Sequence, residues 1–213
     1  MKKFFVFIST FYILLSTFYF TPAFAQTSVI GQSRINPSSP FYFLKAVRET
    51  VELKFADTSQ ERGVLQLEFA GRRMREVNSL VSTNRQDLIE PALIRYFGHL
   101  EKVKGLVNLK DKAIAKQIID EVSMHMSVME NIYPQVSNPR ARMSIKSTVF
   151  RLTRWDQELA ERLILLNSPF VDQVRISKLS GCNFLSREAS SSALNAVEKG
   201  VLSDRANECF GSN

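Results

Sequence analysis

Apolar residues recur every three or four positions along most of this chain, the spacing that lines one face of an α-helix. Phe41, Leu44, Val47, Val51 and Phe55 open the series. Ser39 and Pro40 before them suit an N-cap and a first helical position, because the hydroxyl can accept from an orphan N–H and proline forfeits none there. The stripe predicts a helix over residues 40–55 that buries this face, docks first and sets the bundle. Thr58 with Glu61 then makes a capping box for a second helix, residues 59–81, carrying Val64, Leu67, Gly71, Met74 and Val81 at heptad-like spacing. Gly71 marks either a close helix crossing or a weak spot.

A third helix starts near Asp87, tolerates Pro91 in its first turn, and presents Leu93, Phe97, Leu100, Val103 and Val107. A fourth, residues 111–132, aligns Ile114, Ile118, Val122, His125, Met129 and Ile132. Asn138-Pro139 repeats the cap-and-proline device and opens a fifth, residues 139–166, where Ile145, Val149, Leu152, Leu159, Leu163 and Leu166 form the cleanest stripe, with Trp155 beside it. Short connections favour antiparallel neighbours, so the expected fold is all-α, an antiparallel bundle of four to five helices.

Between Asn167-Ser168-Pro169 and Gly181 the period lapses, which predicts a boundary. Residues 38–166 are then the bundle and residues 167–213 a C-terminal helical hairpin, with short helices over Phe184–Ala189 and Ala196–Phe210. Asn195 and Glu198 cap the second.

The first 25 residues stand outside this pattern. Lys2 and Lys3 precede an almost unbroken apolar run from Phe4 to Phe20, and Pro22 is followed by Ala23-Phe24-Ala25. That is the layout of a signal peptide cleaved after Ala25, with residues 26–37 a flexible leader. The alternative is an uncleaved anchor, since the run approaches spanning length, although Ser9, Thr10, Ser16 and Thr17 weaken it. Export gives meaning to the cysteines. Cys182 and Cys209 are the only two, and an oxidising compartment favours a disulfide that staples the tail; two reduced thiols or a metal site short of ligands are the other readings.

The formal charge is +7, falling to +5 without Lys2 and Lys3. A moderately basic exported chain meets phospholipid head groups and anionic wall polymers, not nucleic acid. Arg72, Arg73, Arg75, Arg140, Arg142, Lys146, Arg151 and Arg154 could form a surface for such a polymer, but Glu68, Glu76, Asp156 and Glu158 are interspersed, which favours ion-paired helix faces. The candidate metal ligands are His125, Met126 and Met129, thioethers and an imidazole suited to Cu(I). Met124 points away, and the same face continues an apolar stripe, so a methionine-rich core is the competing account. Neither His99 nor His125 has a glutamate three residues earlier, so a di-iron bundle fails, and no Gly-rich phosphate loop is present. The sequence calls for no cofactor and no catalytic residue.

Ser39-Pro40-Phe41-Tyr42-Phe43-Leu44-Lys45 with Glu49, and Leu67-Glu68-Phe69-Ala70-Gly71-Arg72-Arg73-Met74-Arg75-Glu76, resemble a bacterial domain family of unknown function. The second stretch is similar to that family's Leu-Glu-Phe-Ala-x-Arg-Arg-Leu-x-Glu pattern, from which Gly71 and Met74 depart as poorer or less common choices. The resemblance spans residues 34–110 closely and the rest of the bundle loosely; the cysteine tail looks like an addition. It implies an exported helical protein with no known activity and supplies no catalytic positions. The expectation is therefore a non-enzymatic protein of the bacterial periplasm or exterior with a binding or structural role. Its partner would be another envelope protein or an anionic envelope polymer, with the membrane touched only through an uncleaved signal segment. A periplasmic chaperone or stress sensor, with a concave apolar surface, and a copper-binding protein are the alternatives.

Overall fold

The computed structural model describes residues 39–191 and 194–211, with Ser33 and Pro37 ahead of them. The signal peptide, its cleavage after Ala25 and most of the leader lie outside the described residues. Seven α-helices follow, with no strand among the described residues: α1 (Tyr42–Lys54), α2 (Ser59–Ser82), α3 (Ile89–Leu106), α4 (Lys112–Ile132), α5 (Pro139–Leu165), α6 (Val171–Ala189) and α7 (Ala196–Gly211).

Local chemistry accounts for most of the boundaries. The Glu61 N–H donates to Thr58 Oγ1 at 3.1 Å, and the Thr58 N–H donates back to Glu61 Oε2 at 3.1 Å, a complete capping box for α2. Asp111 accepts from the N–H groups of Ala113 and Ile114, and Asn138 from that of Ala141, where α4 and α5 begin. Asn195 and Glu198 form the reciprocal pair at α7. Helices α2 and α5 end alike. Asn84 and Asn167 adopt φ of 56° and 48°, and the next N–H groups, of Arg85 and Ser168, reach back to the carbonyls of Leu80 and Leu163 at 2.8 and 3.0 Å. Asparagine tolerates that left-handed backbone because its short polar side chain can bond locally.

Helices α2 and α3 make one extensive pair, α5 and α6 a second, and α6 packs on α7; α2 with α4, α3 with α5 and α4 with α6 tie the pairs together. One apolar cluster runs through all of these, from Leu67 and Met74 by way of Tyr96, Ile118 and Trp155 to Val174, Phe184 and Leu185 of α6 and Leu202 and Ala206 of α7.

Helix α6 differs from expectation. It is one helix of 19 residues, with Gly181 and Cys182 in its interior, where the sequence suggested a short helix beginning at Phe184. Ser177 and Lys178 are buried on it, and polar residues at inward positions are what erased the apolar period. The apolar cluster crosses the expected boundary after residue 166 without a break.

Close crossings occur at glycines, but not at Gly71. A Cβ on Gly63 would stand 2.5 Å from Val107 Cγ1 and 3.1 Å from Leu106 Cβ, whereas one on Gly71 would meet its nearest neighbour, His125 Nε2, at 3.5 Å. Gly63→Ala should therefore cost about 1–3 kcal/mol through overpacking. Gly71→Ala should be neutral or stabilise by up to about 1 kcal/mol, because it only improves helix propensity. Urea midpoints of the two variants check this, and the reverse order would contradict the assignment of the tight crossing.

Candidate functional site: an outward apolar face on an ion-paired mount

Helix α1 is laid on the molecule inside out. The stripe expected to be buried is exposed: Phe41 by 60 %, Leu44 by 48 %, Val47 by 55 %, Val51 by 45 % and Phe55 by 81 %, and Phe43 beside it by 62 %. The face that docks is the polar one. Tyr42, Lys45, Glu49 and Glu52 also recur at spacings of three and four, and at 100° per residue they lie opposite Val47 and Val51.

What they meet is the Arg72-Arg73-Glu76 segment of α2. Glu76, 0 % exposed, accepts from the Tyr42 hydroxyl at 3.0 Å, from Lys45 Nζ at 2.6 Å and from the Arg73 guanidinium. Arg73 also donates to Glu49 and, at 2.7 Å, to the Tyr42 oxygen. Arg72 forks onto Glu52 at 2.8 and 3.2 Å and holds Glu68 at 2.7 Å, with its guanidinium 4.8 Å from the centre of the Phe69 ring. Lys45 further donates to Ser33 Oγ at 3.0 Å.

Desolvation sets the ionisation of these groups. Burial pushes the Lys45 ammonium down, with Glu76 opposing it, and pushes the Glu49 carboxyl up, with Arg73 and Arg72 opposing. Burial and the Glu76 charge raise the Tyr42 phenol to about 12. For Glu52 burial acts upward, but hydrogen bonds from Arg72 and Arg48 outweigh it and hold the carboxyl below its usual value. Cations and carboxylates alternate, so the network contributes register more than net stability, as buried ion pairs tend to do. The two stretches that carry the family resemblance are the two halves of this mount.

The other sequence candidates are placed differently. Arg72, Arg73 and Lys146 are buried, so the eight basic residues do not build one exposed surface. Arg75 is half-buried and lowered by desolvation; Arg140 stands 3.5 Å from Glu90. Arg142 stacks on the Tyr133 ring at 4.3 Å and donates to the Val136 carbonyl, and Arg151 lies 3.6 Å over the Phe97 ring. Arg154 borders a cleft of ≈ 240 Å³ with Lys178, Glu208 and Cys209. Lys146 is pushed down by burial.

His125, Met126 and Met129 are core residues, all 0–1 % exposed. His125 faces α2 and α3, with Nε2 toward Gly71 and 3.6 Å from Glu121 Oε2 and Nδ1 3.4 Å from the Tyr96 hydroxyl, while Met126 reaches α6 at Gly181. The two side chains thus diverge. Burial holds His125 down at about 3, a core imidazole that stays neutral. Among the described residues no group of three or more His, Cys, Asp or Glu is disposed to hold a metal ion. Cys182 and Cys209 are joined, with Cα atoms 5.6 Å apart.

One acid that the sequence placed on an ion-paired helix face is buried instead. Asp156, 2 % exposed, is raised by burial to about 7, with the Ser177 hydroxyl and Lys178 opposing. An unfolded aspartate loses its proton near 4. Between those values the folded chain holds one proton more than the unfolded chain, so this residue's contribution falls as pH rises. His99, lowered by burial to about 4, and His125 act in the opposite sense, stabilising the fold as pH rises toward their unfolded value. Asp156→Asn removes only the first effect. Its stability relative to the parent should grow by about 1.4 kcal/mol from pH 5 to pH 6. Urea unfolding at the two pH values measures this, and a difference independent of pH would contradict the buried neutral acid.

No helix among the described residues is long and apolar enough to cross a membrane. No curated protein and no solved structure matches the chain. A family model does, over residues 34–139, the stretch that contains α1, its mount on α2, and helices α3 and α4. That stretch places the chain in the family described as a domain of unknown function, DUF5667.

Proposed function

We propose that this is an exported, non-enzymatic helical protein of the bacterial cell envelope that works by binding, and that the outer face of α1 is the binding face. The observation that carries the reading is the inverted docking of α1. A helix whose six large apolar residues, counting Phe41 and Phe55 at its caps, are turned to solvent on a mount of buried charges leaves an apolar patch that a partner would gain free energy by covering. The disulfide supports an oxidising compartment, and a signal peptide removed after Ala25 is part of the same proposal. In this reading α2–α5 are the bundle and α6 and α7 a stapled hairpin that closes it. The apolar residues line one exposed helix and not the walls of a cleft, which favours a docking element over a chaperone cradle.

Photo-crosslinking in cells tests the proposal. Benzoylphenylalanine at Phe43 should capture an envelope component, lipid or protein, while the same residue at Leu165, exposed by 83 % elsewhere on the surface, should not. Equal products from the two positions would overturn it.

A further inference from the structure

We infer that the partner of the α1 face is an anionic lipid surface. The inference rests on the binding-face reading above and names its occupant from the distribution of charge. The two acids of α1, Glu49 and Glu52, are both on the mount side and paired with arginine. On the outer side the apolar stripe is accompanied by cations alone: Lys54, and Arg48, which also pairs with Glu52 across one turn. Arg62, exposed beside the end of α1, adds a third positive group, its Nε donating to the Ala56 carbonyl at 3.1 Å. Asp57 is the exposed acid nearest in sequence, and it follows the helix end; Glu61 beyond it is engaged in the α2 cap.

An amphipathic helix with phenylalanine at both ends of its apolar face and lysine and arginine at its border is the composition that lies in a membrane interface. Lys54 and Arg48 have stems long enough to keep their charges at head-group level while Val47 and Val51 enter the acyl boundary. A second copy of this chain fits less well. Two α1 faces pressed together would desolvate Lys54 of each copy, and the carboxylates of α1, Glu49 and Glu52, are already committed to arginines. A bilayer rich in anionic head groups supplies the counter-charge that Lys54 lacks, and its flat surface suits a single helix laid along it. The mount then has a purpose: it fixes α1 by its polar side so that the apolar side is turned outward, with the body of the protein held above the lipid.

Vesicle binding by the chain from residue 26 onward tests this. It should sediment with vesicles of phosphatidylcholine mixed with phosphatidylglycerol, and much more weakly with phosphatidylcholine alone. Arg48→Gln and Lys54→Gln should each weaken binding by about fivefold, the usual effect of one cation at an anionic surface. Val47→Asp with Val51→Asp should abolish binding while the circular dichroism stays that of the parent. Tryptophan at Phe43 should shift to shorter wavelength on mixing, against a constant signal from Trp155, which is 2 % exposed. Failure to sediment with the mixed vesicles overturns the inference, as does equal binding by the Val47, Val51 variant. A solution dimer lost in that variant overturns it in favour of a second copy. A crosslink from Phe43 to an envelope protein without vesicle binding would remove the lipid and leave the binding face standing.

Discussion

Glu76→Ala should release α1 from the molecule. The glutamate is wholly buried and receives Tyr42, Lys45 and Arg73 together, so its removal strands two cations that lose their common counter-charge. Breaking a buried pair from one side costs about 3–5 kcal/mol. Helix α1 has little apolar burial to offset that, since Tyr42 and Leu53 are only half-buried and its other large apolar residues are exposed. Undocking returns Lys45 to water and is the less costly outcome. Hydrogen exchange should show residues 45–54 losing protection while α2 to α6 keep theirs. Glu76→Gln, which keeps an acceptor for Tyr42 but no charge, should have an intermediate effect. Unchanged protection of α1 in Glu76→Ala would mean that contacts other than this network hold the helix.

The second large effect concerns the disulfide. Cys182 and Cys209 are 27 positions apart, and closing such a loop is worth about 3–4 kcal/mol in the chain-entropy model. Helix α7 contributes Leu202 and Ala206 to the core but leaves Val197 exposed by 77 % and Val201 by 46 %, so it depends on the bond. Helix α6 does not, because Val174, Phe184 and Leu185 lie in the central cluster and Gly181 sits tightly against Thr153 and Met126. Reduction, or Cys182→Ser with Cys209→Ser, should therefore expose residues 196–211 to exchange and leave residues 171–189 protected with α5. Loss of protection across both helices together would mean that the tail is one separate unit, as the lapse in periodicity after residue 166 suggested. No change in either would mean the staple adds nothing.

Much of the helical layout was legible in the sequence because it is written in local chemistry. Thr58 with Glu61, Asp111, Asn138-Pro139 and Asn195 with Glu198 each fix a helix start through side-chain to backbone bonds that depend on near neighbours only. What was misread depends on distant partners. Helix α1 carries two stripes, Phe41-Leu44-Val47-Val51-Phe55 and Tyr42-Lys45-Glu49-Glu52, and periodicity alone assigns the apolar one to the interior. The deciding information is the complementary Arg72, Arg73 and Glu76 on α2, which a pattern scan reads as an ordinary ion-paired helix face. The regular spacing of the polar stripe was the available signal. The part of helix α6 before Phe184 was missed for a related reason, since Lys178 is buried with its ammonium on Gln157 Oε1 at 2.7 Å, a tertiary bond that masks an inward position as a surface one. For Gly71 the sequence allowed a close crossing, but the tight ones fall at Gly63 and Gly181, where side chains of distant segments, Val107 and Leu106 at the first and Thr153 and Met126 at the second, press in.

The central claim is the orientation of α1, and hydroxyl-radical footprinting of the native chain tests it most directly. Phe43 and Phe55, exposed by 62 and 81 %, should be oxidised at rates near those of the urea-unfolded chain, while Phe69 and Tyr96, each 0 % exposed, should be protected. Protection of Phe43 and Phe55 equal to that of Phe69, in a monomeric sample free of lipid, would mean that the apolar stripe faces inward and that α1 is not a binding face.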